Sequence, residues 1–187
     1  MPTEDDGEFV PRSPQEVAKR VLALIAVVDK AHNQTSEQLQ NWVSKHRISD
    51  YFSAEEAAFY SNPAPTREQI VNQTWRTEAL VPLCWALGLV EELPPLNVQI
   101  SWADTPALKL AAADPDGFIA AASLRSIGTL DEAEQELYHQ HWRVHDAQLF
   151  GKPMPEELDP GIVYERRYAA SWLMGWGEDW DNVPTDT

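Results

Sequence analysis

One stretch constrains this chain more than any other: residues 66–88, TREQIVNQTWRTEALVPLCWALG. Its pattern predicts a single long helix. Thr66 followed three residues later by Gln69 is a capping box, in which two side chains satisfy backbone N–H groups that a first helical turn leaves without partners. Gly88 suits the left-handed residue that closes a helix. At 100° per residue, Ile70, Thr74, Val81 and Trp85 share a face flanked by Val71 and Trp75, and from Ala79 onward the opposite side is apolar too, through Leu80, Leu83 and Leu87. A helix apolar on all sides must be covered by neighbours. Yet Glu78 projects from the middle of that apolar face, and Pro82 removes one backbone hydrogen bond and predicts a kink.

The rest of the chain supplies the covering segments. Residues 1–12 are acidic and predict a loose arm. Ser13-Pro14-Gln15-Glu16 starts a helix running to about residue 31, with Val17, Val21, Leu24, Ile25 and Val28 inside and Lys19, Arg20 and Lys30 outside. Thr35 and Gln38 predict a second helix over 36–47, burying Leu39, Trp42 and Val43. Ser53 and Glu56 start a short third, with Phe52 as a staple against Ala57, which ends before Asn62-Pro63-Ala64-Pro65. Beyond the central stretch, residues 97–102 read as extended but unpaired, for want of a second strand candidate. Thr105-Pro106 opens a short helix to about residue 113, and Asp114-Pro115-Asp116-Gly117 is a turn or the cap of another around 118–124.

A second long helix is predicted over 129–150, boxed by Thr129 and Glu132 and stopped by Gly151 and Pro153. Leu130, Ala133, Leu137, His141 and Val144 form its inner face, bordered by Glu134 and His145. Asp159-Pro160 starts the last helix, to about residue 175, with Arg166 and Arg167 set in an apolar surface. Residues 176–187 form an acidic tail in which Trp176 and Trp180 either dock a partner or fold back to seal the core. The expected fold is all-α: a single domain over 13–187, an irregular bundle of six to eight helices centred on those at 66–87, 130–149 and 160–174.

Charge narrows the function. The formal net charge is −16. That excess argues against nucleic acid, which requires a basic footprint, and against anionic membrane surfaces, while permitting steering toward a basic partner. No stretch reaches the apolar length of a membrane span. Cys84 is the only cysteine, so an internal disulfide and a multi-cysteine metal site are excluded. MPTEDDGEF lacks the basic and apolar regions of a secretory signal, so the expected compartment is cytoplasmic.

Three helices therefore place charged or titratable groups on apolar faces: Glu78; Glu134 with His141 and His145; Arg166 with Arg167, and Arg125 just before the second long helix. A buried guanidinium needs carboxylate partners, for which Glu78 and Glu134 are the interior candidates and Asp181 or Asp186 could return from the tail. Either these groups form a pocket with an acid/base Glu, a His and an anion-binding Arg pair, or they form a salt-bridge network that fixes helix register. His141 and His145 lie one turn apart, within reach of Glu134, but HExxH is missing, and no metal is expected. No phosphate loop, dinucleotide fingerprint or nucleophile elbow occurs, and no cofactor is expected.

Four stretches, Trp75-Arg76-Thr77-Glu78-Ala79-Leu80 with Leu83-Cys84-Trp85-Ala86-Leu87-Gly88, Tyr138-His139-Gln140-His141-Trp142, Glu165-Arg166-Arg167-Tyr168-Ala169-Ala170-Ser171-Trp172-Leu173 and Trp180-Asp181-Asn182-Val183-Pro184-Thr185-Asp186-Thr187, together resemble an uncharacterised family, domain of unknown function number 4272. The resemblance implies a bacterial, largely helical domain whose tail belongs to the fold, and it supplies no activity. Two functions are thus expected. One is a non-catalytic cytoplasmic domain whose acidic surface engages a basic protein, as a toxin-immunity protein does. The alternative is an enzyme or small-ligand binder with Glu78, His141 and Arg166 or Arg167 around an anionic ligand.

Overall fold

A computed structural model describes residues 10–102 and 105–186. Among them the chain is all-α: eight α-helices, a 3-10 turn at Ile48–Tyr51 and no strand. The helices are α1 (Pro14–Asn33), α2 (Glu37–Lys45), α3 (Ala54–Ser61), α4 (Arg67–Ala86), α5 (Pro106–Ala113), α6 (Pro115–Ala120), α7 (Ile127–Leu149) and α8 (Pro160–Leu173).

Local chemistry sets most helix starts. Ser13, Ser53 and Thr66 each close a full capping box, and Asp159 accepts from the backbone of Gly161 and Ile162. Two starts differ from the sequence expectation. Ser36, not Thr35, caps α2, and Ser126 caps α7 one turn earlier than Thr129 would. Phe52 packs on the Tyr60 ring at 5.0 Å instead of stapling the exposed Ala57. Pro82 lies inside α4 without ending it. Residues 97–102 make turns and irregular backbone, not an extended run.

α4 is the central helix, packed between α1 and α8, and α7 covers the outer side of α8. The expected centre therefore changes: α1 takes the inner position assigned to 130–149. Val17, Ala18, Val21, Leu22, Ala23, Leu24, Ala26 and Val27 are all fully buried, because α2, the 3-10 turn, α3 and α6 close over the side of α1 that α4 leaves open. Arg20 and Lys30, expected outside, are buried with them.

The predicted arm over 1–12 is described only from residue 10, residues 1–9 lying outside the described part. Its last residues are not loose. The Arg12 backbone N–H bonds the Leu173 carbonyl at 2.8 Å, and its guanidinium stacks 5.3 Å over Trp172 and reaches the Gly177 carbonyl. The tail folds back as well, burying Trp180 and Val183, while Trp176 stays exposed. Gly177 makes this return possible: φ is +78°, and a Cβ would strike the Asn182 carbonyl oxygen at 2.2 Å.

Candidate functional site

Consecutive residues on a helix point about 100° apart, so Arg166 and Arg167 leave α8 on different sides. Arg166 turns toward α4. Its Nε and Nη2 reach Glu78 Oε2 at 3.0 and 2.9 Å, Nη1 reaches the Pro94 and Pro95 carbonyls, and Nη2 also bonds the Val98 carbonyl. That accounts for all five guanidinium donors. Glu78 Oε1 accepts from the Ile100 backbone at 2.9 Å. Exposures of 2% for Glu78 and 1% for Arg166 make this a clamp that fastens the segment after α4 onto α4 and α8. A cleft of about 230 Å³ reaches Glu78 from the side of His32, Thr74 and Gln99, and Arg166 is not in its wall. With every donor used, Arg166 has none to offer an anionic ligand.

Arg167 turns toward α7 and the tail. Its Nη1 meets His141 Nδ1 at 2.8 Å and the Thr185 carbonyl at 2.7 Å, Nη2 reaches the Asp186 carbonyl at 3.2 Å, and the Tyr138 ring lies 4.8 Å away. A guanidinium only donates, so Nδ1 accepts and neutral His141 carries its proton on Nε2. Burial, reinforced by the Arg167 charge, pushes the His141 pKa down to about 4. Glu134 takes the Ser171 hydroxyl at 2.9 Å, and burial raises its pKa.

The expected constellation is therefore two clusters on different sides of α8: Glu78 with Arg166, and Arg167 with His141, beside the buried Glu134–Ser171 pair. His145 is exposed on α7. Asp181 caps the start of α3 through the Glu55 N–H at 3.0 Å, away from the arginines. Arg125 closes the C-terminal end of α4, donating to the carbonyls of Trp85, Val90 and Glu91 while stacking 4.9 Å over Trp85. Among the described residues, no group of three or more His, Cys, Asp and Glu is placed to hold a metal.

Three buried or part-buried cations escaped the sequence reading. Arg20 pairs with Glu56 and stacks 5.0 Å over Trp180. Arg76 pairs with Glu165 at 3.1 Å. Lys30 donates to the carbonyls of Phe59, Tyr60 and Asn62. Spacing held a signal for two of them: Arg20 lies three residues after Val17 and four before Leu24, and Lys30 three after Val27, both on the buried stripe.

The outer face of α7 is the opposite case, apolar where water reaches it. Ile127, Tyr138, Trp142 and Leu149 fall within a narrow angular stripe and are 63, 43, 48 and 66% exposed, and Phe150 is exposed at the helix end. The Trp142 ring stacks on His139 at 6.3 Å. Exposed Asp131 lies within the first half of the stripe, while exposed Glu132 and Glu136 lie further round the helix. Arg167 stacks on Tyr138 and Lys152 on Phe150, but packing inside this chain leaves much of Ile127, Trp142 and Leu149 uncovered; exposed apolar side chains on one face with charge among them mark a candidate interaction site.

No helix among the described residues is long and apolar enough to cross a membrane. A family model described as "Domain of unknown function (DUF4272)" matches residues 1–183. No curated protein and no solved structure matches the chain.

Proposed function

The chain belongs to the DUF4272 family, and from that premise we propose that it is a non-catalytic cytoplasmic binding domain that engages a basic protein partner, in the manner of an immunity protein. The observation that carries the reading is the α7 stripe, with Trp142 and Tyr138 exposed on the same helix face as Asp131. Aromatic faces attract Lys and Arg side chains, and neighbouring carboxylates pair with the same cations. The distribution of charge supports it. Among the described residues, the buried charged ones are four acids, Glu56, Glu78, Glu134 and Glu165, and four bases, Arg20, Lys30, Arg166 and Arg167. These cancel, so the sequence excess of −16 resides on the remaining residues and is available to steer a basic partner. Burial also pushes the Cys84 thiol up, so this lone cysteine stays an unreactive core thiol, in keeping with a reducing compartment.

The test is retention of a basic protein from a lysate of the source organism on the immobilised chain, at about 0.05 M and about 0.5 M salt, where screening lengths differ about threefold. A Trp142→Ala/Leu149→Ser variant serves as the control, since both side chains are exposed and their loss should leave the fold intact. The expected result is a basic protein held at low salt, released at high salt and not held by the variant. If no basic protein is retained, or if retention ignores Trp142 and Leu149, the proposal fails.

A further inference from the structure

The cleft between α3, α4 and α8, of about 770 Å³, plays no part in the reading above. Its volume lies in the range of small-molecule sites. Three features of its wall remain unexplained by packing.

First, Arg76 is held differently from Arg166. Its face is covered by the Tyr168 and Trp180 rings at 4.5 and 5.6 Å, and Nη1 bonds Glu165. Its other N–H groups make no hydrogen bond among the described residues, where Arg166 uses all five. Second, Gln73 Oε1 is buried without a donor. A buried acceptor left unpaired costs about 1–3 kcal/mol, and the amide nitrogen of the same side chain is not sealed off with it and makes no hydrogen bond among the described residues. Asn72, one residue earlier and exposed, also makes no bond among the described residues. Third, the Trp75 ring lies against the first turn of α8, where only glycine fits: a Cβ on Gly161 would stand 2.7 Å from it. Trp75 and the exposed Tyr164 give the cleft flat apolar surface between its polar groups.

Charge then selects the ligand. Arg76 is matched by Glu165, Glu55 adds a negative charge at the rim, and the chain as a whole carries −16, so an anion is repelled. An ammonium group only donates, so it cannot answer the open N–H groups of Arg76 and Gln73. A neutral ligand rich in hydroxyls answers the open groups, because a hydroxyl accepts from Arg76 and the Gln73 amide nitrogen and can also donate to the Asn72 amide oxygen, while the C–H face of a ring lies on Trp75 or Tyr164. We infer that this cleft binds a neutral saccharide of one or two rings.

The probes are glucose, galactose, mannose, N-acetylglucosamine, maltose, cellobiose and lactose, with glucuronate and glucosamine as charged counterparts. They are titrated into the full chain by saturation-transfer NMR and tryptophan fluorescence. At least one neutral sugar should bind and change the tryptophan emission, in preference to both charged probes. Gln73→Leu should weaken it about tenfold, the loss of one good hydrogen bond, without lowering the unfolding midpoint. Asn72→Ala, at an exposed position, should also weaken binding with the fold unchanged. Trp142→Ala should leave it intact, separating this cleft from the α7 stripe. Binding of none of the neutral sugars overturns the inference, as does equal or tighter binding of glucuronate or glucosamine, or affinity indifferent to both amide substitutions.

Discussion

At the scale of single residues, the buried charges divide by how fully their bonds are spent. Arg166 is saturated and serves to hold a loop, whereas Arg76 keeps donors at a cleft. His141 is the most perturbed histidine described, and its neutrality has a measurable consequence. In the folded protein its pKa falls from 6.5 to about 4 through burial, then through Arg167 and His145. Between those values the unfolded chain binds the proton and the folded chain does not, so stability falls as the pH drops through this window. Glu134 and Glu165 act in the opposite sense. Burial raises their carboxyl pKa values above 4.5, so the folded state takes up their protons first, and their contribution grows as the solution becomes more acid. The histidine is isolated by comparing urea midpoints of the wild type and His141→Gln from pH 7 to about pH 4. The wild type should lose stability relative to the variant as the pH falls. A difference independent of pH would show that His141 is not held neutral.

At the scale of elements, charged side chains from elsewhere in the chain finish the ends of helices. A helix C-terminus leaves carbonyls without partners and carries partial negative charge. Arg125 meets this need for α4, and Lys30 of α1 meets it for α3. The lysine has three N–H groups, and three carbonyls receive them at 2.7, 2.6 and 2.7 Å. Lys30→Met keeps the apolar stem and removes all three bonds. Charged hydrogen bonds of this kind contribute about 1.5–3 kcal/mol each in isolation but are not additive, so a total loss of about 2–3 kcal/mol is expected in urea unfolding. Amide exchange should speed up at residues 57–62 before it does in α4. Uniform acceleration across α4 as well would mean that Lys30 supports the whole core and not the end of α3.

At the scale of the whole molecule, the tail behaves as a structural element. Trp180 lies edge-on to Tyr168 and Trp172 at 5.4 and 5.3 Å, beneath the guanidinium groups of Arg20 and Arg76, and its carbonyl receives the Tyr168 hydroxyl. It thus joins α1, α4 and α8. Ending the chain after residue 175 removes this ring together with Val183. Loss of one buried tryptophan costs about 3–5 kcal/mol, and at about 2–4 °C per kcal/mol for a chain of this size the thermal midpoint should fall by about 10 °C or more. A truncated chain that melts with the full-length protein would contradict the role given to the tail.

The sequence by itself determined the all-α class and the order of the main helices and bounded their number at six to eight, because their signals are local. The Ser13, Ser53 and Thr66 boxes act across three residues, and no distant contact is needed to form them. It also determined that Glu78 and Arg166 must be neutralised indoors, since each sits on an apolar face. Ser36 and Ser126 already needed more than local information, because neighbouring hydroxyls offer nearly equal caps and position in the bundle selects between them. Only the tertiary structure decided the partners: Glu78 meets Arg166 across 88 residues, Arg167 instead meets His141 and the returning tail, and α1 displaces α7 from the centre. A cap is a matter of spacing along the chain. An ion pair or an exposed stripe depends on which faces remain once every helix has packed, and that is a property of the assembled bundle alone.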